Sequence, residues 1–172
     1  NLRYVSSNSE DFVYLQDEVN FIREYLRIQK FRYENRLSYE IDIDAKALRC
    51  IVPKMILQPF VENSIEHGIG DGALKINVYS KRENNKLLLF VEDNGKGIDN
   101  QKAEQILKRL YEDSSDNYKP EDIKYLGKGY ARNNINRRLK LYYGEDCGIY
   151  IDMQYTEGAR FFLKMPYNSE EV

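Results

Sequence analysis

The stretch Lys86-Leu87-Leu88-Leu89-Phe90-Val91-Glu92 is an apolar run that passes straight into Asp93-Asn94-Gly95-Lys96-Gly97. No other feature restricts the fold of this chain so strongly. The run reads as a strand. Ala73 to Lys81 alternates apolar and polar residues, and Glu83-Asn84-Asn85 joins the two as a hairpin. A strand fixes the residue at its end, here Asp93. Gly95 and Gly97 then let a flat or charged group approach the backbone closely. The bland alternative is that Asn94-Gly95 marks only a tight turn.

The remaining chain supplies helices and further strands. Leu15, Val19, Ile22, Leu26, Gln29 and Tyr33 step alternately by four and three residues, which predicts a helix from about 15 to 34. Phe21, Tyr25 and Ile28 widen its apolar stripe. The helix either flanks the core or continues a connector bundle from upstream. Leu37 to Asp44 alternates and predicts a strand. Pro53 opens a helical run that ends at Gly68, with a kink expected at Pro59 inside it. Asp99 to Leu126 is long and polar, partly helical from Lys102 to Tyr111, and reads as a lid over about 99–128. Ala131 to Tyr143 is predicted helical. Ile149 to Tyr155 and Arg160 to Met165 are predicted strands around Glu157-Gly158. This order predicts an α/β fold, a two-layer sandwich whose mixed, mostly antiparallel sheet has helices on one face. The expected division is a connector over 1–36 and one domain over 37–168.

Composition excludes several kinds of chemistry. Lys plus Arg is 26 and Asp plus Glu is 28, so nothing draws the whole chain to nucleic acid. Two cysteines, Cys50 and Cys147, stand far apart with no CxxC, against a disulfide framework or thiolate zinc site. No apolar run approaches the roughly 20 residues of a membrane span. There is one histidine, His67, so chemistry that needs two imidazoles is excluded within the chain.

Three clusters carry chemistry. In Glu62-Asn63-Ser64-Ile65-Glu66-His67-Gly68, Val61 and Ile65 face the core, and Asn63 and His67 share the other face one turn apart. An Asn oxygen there suits a magnesium ion already held by phosphates. A buried Asn beside a surface His is the plainer reading. At Asp93, a carboxylate fixed at a strand end can accept the exocyclic amine of adenine. Gly127-Lys128-Gly129-Tyr130 stands directly before a helix. Such an entry leaves N–H groups free for anionic phosphates, aided by Lys128 and Arg132. It matches neither a Walker A loop nor a Rossmann fingerprint.

Together the clusters resemble the ATP-binding fold shared by gyrase, heat-shock chaperone, mismatch-repair and histidine-kinase ATPases, the GHKL or Bergerat type. Leu57-Gln58-Pro59-Phe60-Val61-Glu62-Asn63 with His67-Gly68 resembles the N box of LytS/YesM-type sensor histidine kinases. Gly129 to Gly144 is similar to their second glycine box and following helix. Phe12 to Leu15 and Ile22 to Arg32 resemble the segment that joins the family's phosphoacceptor region to its catalytic domain.

The resemblance implies Mg2+ on Asn63, His67 beside the nucleotide, adenine on Asp93, and Gly95 and Gly97 in the first glycine box. Gly129 would begin the second box, with Gly127, Lys128 and Tyr130 beside it at the nucleotide; Gly127-Lys128-Gly129 is a shifted register that would put the helix two residues out of step with the family. Glu62 would help orient the attacking imidazole. Asn134 and Arg138 match family positions of open role. The implied protein is the catalytic domain of a bacterial membrane sensor. It faces the cytoplasm, is dimeric in its parent, binds Mg-ATP and works with a response regulator. It delivers the γ-phosphoryl to a histidine outside this chain. Three departures stand out: Ala131 for a second-box glycine, Glu66 where a basic residue is usual, and Ala159 for a Thr after Gly158. They leave open an alternative, a degenerate regulatory or interaction module. A hydrolytic ATPase is opposed by Pro59, which stands where those relatives carry a general-base Glu.

Overall fold

The computed structural model describes residues 11–70, 72–112 and 129–168. Its centre is a five-stranded sheet in the order β2-β4-β5-β7-β6. The strands are β2 (Leu37–Asp42), β4 (Leu74–Glu83), β5 (Lys86–Asp93), β6 (Gly148–Ile151) and β7 (Ala159–Pro166). β2 and β4 run parallel, and every other pair is antiparallel. A separate pair joins β1 (Phe12–Tyr14) to β3 (Ile51–Pro53). Four helices complete the chain: α1 (Leu15–Tyr33), α2 (Gln58–Gly68), α3 (Asn100–Glu112) and α4 (Gly129–Tyr143). The expected mixed, mostly antiparallel α/β sandwich is what forms.

The apolar run becomes the central strand, and this explains why it does not alternate. One face of β5 (Leu87, Leu89, Val91) packs into the main core with Ile76, Val78, Phe161 and Leu163. Its other face carries Phe90, stacked between Tyr79 at 4.8 Å and Phe162 at 5.2 Å, and Tyr150 continues the row at 5.0 Å from Phe162. The row shields Phe90 on the face that the helices leave open, so β5 is buried on both sides.

α1 forms over the expected span. Leu15, Val19, Ile22 and Leu26 are fully buried and join the same core as the sheet. Each such side chain contributes about 2 kcal/mol by leaving water. Phe21, Ile28 and Phe31 of the same helix stay exposed.

The helix expected from Pro53 begins instead at Gln58. Residues before it pair with β1, and Met55 adopts a left-handed φ of 61°. Pro59 therefore falls in the first turn of α2, where a missing N–H costs nothing, and no interior kink arises. β2 and β6 both stop short of their expected ends for one reason, an aspartate that folds back on the chain. Asp44 Oδ1 accepts the Lys46 and Ala47 N–H groups at 2.9 and 3.1 Å, and Asp152 Oδ1 accepts that of Gln154 at 3.0 Å. α3 takes up the helical part of the expected lid. The rest of that lid, 113–128, lies outside the described residues. Among the described residues no helix is long and apolar enough to cross a membrane.

Candidate functional site

α2 and the end of β5 meet at Asp93. The core face of α2 is formed by Phe60, Val61, Ser64 and Ile65. Ser64 places a hydroxyl where the pattern calls for an apolar group, and that hydroxyl donates to Asp93 Oδ2 at 2.7 Å. Asp93 Oδ1 accepts the Gly95 N–H at 2.9 Å and the Ala159 N–H at 3.4 Å. The carboxylate is buried and fixed from three elements, so it is oriented before any ligand arrives.

The chain leaves Asp93 through a tight passage. Gly97 has φ 73°, the left-handed region that favours glycine. Gly158 sits so close to the Asp93 backbone that an added Cβ would lie 1.9 Å from its carbonyl oxygen. This is the physical content of the glycines read from sequence: they let the β5 exit and the start of β7 touch.

An open cleft begins at this point. Asn63, His67 and Gly68 of α2 line it, together with Asp93 and the Lys96, Gly97 and Ile98 that follow β5, Ala159 and Phe161 of β7, and Lys102, Gln105 and Ile106 of α3. Two lysines, Lys96 and Lys102, give it positive charge. Asp99 accepts the Lys102 N–H at 2.7 Å and so caps α3 on the cleft side. Asn136 ties the other end of α3 in place. Its Nδ2 donates to the Leu110 carbonyl at 2.9 Å while its Oδ1 accepts the Ile149 N–H at 2.8 Å.

The sequence-read residues thus divide. Asn63, His67, Asp93 and Gly97 line one cleft, with Gly95 bonded to Asp93. Glu62 lies outside the lining and accepts a hydrogen bond from Gln58 at 2.7 Å. Glu66 is exposed and also outside it. α4 begins at Gly129, two residues before the expected start at Ala131, so Gly129 and Tyr130 open the helix instead of preceding it, while Gly127 and Lys128 lie outside the described residues. Sequence reasoning missed Ser64, although a hydroxyl on an apolar helix face was a signal for it. It also missed Lys102, Gln105 and Ile106, which only the packing of α3 brings to the cleft.

Behind Asp93 the sheet carries a polar network. Glu92 points to the opposite face and accepts from Arg160 at 2.6 Å, Asn77 at 3.0 Å and Tyr79 at 3.0 Å. Burial alone would raise the Glu92 carboxyl, but the hydrogen bonds outweigh it and hold it below its ordinary range. Burial, then the bond to Glu92, pushes the Tyr79 hydroxyl up to about 12. Arg160 also reaches Asp152 at 3.0 Å and stacks on Tyr155 with 4.0 Å to the ring centre. Glu92 pairs with Arg160 across the strands next to Asp93 and Ala159, so the network fixes that register from behind.

For magnesium the donor set is of a particular kind. Asn63 offers one neutral oxygen, and among the described residues no group of three His, Cys, Asp or Glu could cage a metal. This fits an ion held largely by substrate oxygens with one protein ligand.

A strand-end carboxylate and a helix-borne Asn thus line one cleft on a mixed sheet, and comparison with known proteins gives the class. Residues 51–169 match the family described as histidine kinase-, DNA gyrase B-, and HSP90-like ATPase, and residues 1–37 match a histidine kinase family. The chain belongs to the former family and carries its GHKL-type ATPase domain in the form found in sensor histidine kinases. The sensor histidine kinase YesM of Bacillus subtilis is 31% identical over 165 residues, 95% of this chain and 25% of that protein. The sensor protein kinase HptS of Staphylococcus aureus is 27% identical, over 99% of this chain and 31% of that protein. The chain therefore spans about a quarter to a third of these relatives. Among solved structures, the catalytic domain of histidine kinase ThkA superposes with a TM-score of 0.62 at 17% identity, over 92% of this chain and 97% of that one. At that identity the likeness speaks for the fold alone.

Proposed function

We propose that this cleft binds Mg-ATP and holds its γ-phosphoryl group for transfer to a histidine outside residues 1–172. The observation that carries the reading is the convergence of Asn63, His67 and a three-way anchored Asp93 on one lysine-bearing cleft. Asp93 accepts the adenine amine, which a carboxylate already bonded to donors on both oxygens can do with its remaining lone pairs. Asn63 provides the protein oxygen to magnesium. That ion, when bound, neutralises phosphate charge. Lys96 and Lys102 add cationic charge, and the α4 entry at Gly129 offers N–H groups to phosphate oxygens.

The chemistry asked of the protein is positioning and charge neutralisation. Pro59 lies in the first turn of α2 and accepts no proton, so the chain lacks the base that hydrolytic relatives place there. Glu62, held by Gln58 beside Asn63, is the group to orient an attacking imidazole. In the parent protein the partners are its phosphoacceptor region and a response regulator, and the domain works on the cytoplasmic side of a membrane sensor.

Calorimetric titration with a non-hydrolysable ATP analogue tests the reading. Binding that requires Asp93, with no acid-labile phosphate appearing on the chain from labelled ATP, is the expected result. Silence at millimolar nucleotide contradicts it and favours a regulatory module.

A further inference from the structure

The turn between β3 and α2 is held in an unusual way. Met55 is not a glycine, yet its φ is 61°, a conformation that persists only where its surroundings over-determine it. Here they do. The buried carboxylate of Glu18, from α1, accepts the N–H groups of Met55, Ile56 and Leu57 at 2.6, 3.0 and 3.3 Å. These donors are the three residues immediately before α2, so the carboxylate holds the turn that sets where the helix starts. On the other side, Arg138 of α4 donates to the Lys54 carbonyl at 2.9 Å and to the Asp11 carbonyl at 3.3 Å. Asp11 O also accepts the Lys54 N–H at 3.0 Å, and Phe12 packs on Tyr142 of α4 at 4.9 Å.

One junction therefore joins four parts: the entering segment Asp11–Tyr14, α1 through Glu18, the start of α2, and α4 through Arg138. α2 carries Asn63 little more than a turn beyond its start, and α4 is the helix that Gly129 opens. We propose that Glu18 and Arg138 are positioning residues for the nucleotide site, pinning the entry of the Asn63 helix to the chain segment that precedes it. Neither lines the cleft. Glu18 acts by holding the three residues that lead into α2 from a different helix. Arg138 acts by fixing the turn before it against α4. Displacing the entering segment would then reach Asn63 through a single turn of backbone. This rests on the nucleotide reading above.

The experiment titrates a fluorescent non-hydrolysable ATP analogue into the 172-residue chain, with and without Mg2+, for wild type, Glu18→Gln and Arg138→Lys. Amide hydrogen exchange of β4, β5 and β7 checks the fold. Mg2+ should tighten binding to wild type. In Glu18→Gln that tightening should fall about tenfold, the low end for residues that orient a metal ligand. Affinity without Mg2+ and sheet protection should be unchanged. Arg138→Lys keeps one carbonyl contact and should show a smaller loss of the same kind. Variants that match wild type overturn the inference alone, as does an equal loss with and without Mg2+, which marks a merely structural role. If Glu18→Gln fails to fold, Arg138→Lys decides by the same criterion. A wild type silent in both titrations overturns the nucleotide reading and this inference with it.

Discussion

The surroundings of Asp93 and of Asn63 in the cleft are built differently. At the Asp93 end both carboxylate oxygens are met by protein: a hydroxyl from α2, an amide from the glycine turn and an amide from β7. Three elements that are already in the core converge there, and Gly158 permits no slack. At the Asn63 end the lining comes from α2, a short loop and α3, and charge is supplied by Lys96 and Lys102. The first end is fixed by sheet register. The second depends on how helix ends are held, by Asp99 and Asn136 for α3 and by Glu18 for α2. Specificity for a base needs a rigid end, whereas a phosphoryl group in transit needs one that can be adjusted.

This contrast can be broken most severely at Gly158. Gly158→Ala forces a methyl into the Asp93 carbonyl and should cost about 3 kcal/mol, a fall of roughly 9 °C in Tm by calorimetry. Asp93→Asn should leave stability nearly intact and weaken nucleotide about 100-fold, the scale of a lost charged hydrogen bond. The titration that checks it should show the same loss with and without Mg2+. Asn63→Ala should do the opposite, losing about tenfold with Mg2+ and little without it. Ser64→Ala removes one donor from Asp93 and should cost about 1 kcal/mol in chemical denaturation.

The smallest effect concerns pH, through the network behind the rigid end. The Tyr79 hydroxyl is raised to about 12, so its contribution is complete below the ordinary tyrosine pKa and is lost as pH climbs toward 12. Glu92 is lowered, so its contribution is present above the ordinary carboxylate pKa and is lost as pH falls through its depressed value. Tyr79→Phe should flatten the alkaline limb of a stability–pH curve, and Glu92→Gln the acid limb.

How much of this could be read from sequence follows the same division. Asp93, Gly95 and Gly97 were legible because a strand, a carboxylate and glycines are consecutive in the chain. α1 was legible because its buried residues keep one period. The hairpin at Asn84 was legible from its turn residues, and Asn84 does take a left-handed φ of 52°. The start of α2 was not legible, because the groups that end β3 and begin the helix belong to Glu18, far upstream. Lys102 and Ile106 were not legible as cleft residues, because α3 reaches the site only by tertiary packing. Arg160 escaped notice because its partners Glu92 and Asp152 meet it across strands. Local chemistry showed in the sequence, and what depends on distant partners did not.

The central claim is that one cleft, lined by both Asp93 and Asn63, takes the nucleotide. Amide chemical-shift mapping with a Mg-bound, non-hydrolysable ATP analogue tests it most directly. The account predicts the largest shifts at Asn63, His67, Gly95, Gly97 and Ala159, with Tyr79, Phe90 and Phe162 on the reverse of the sheet nearly still. Shifts centred on that reverse face, or none at saturating analogue, would contradict it.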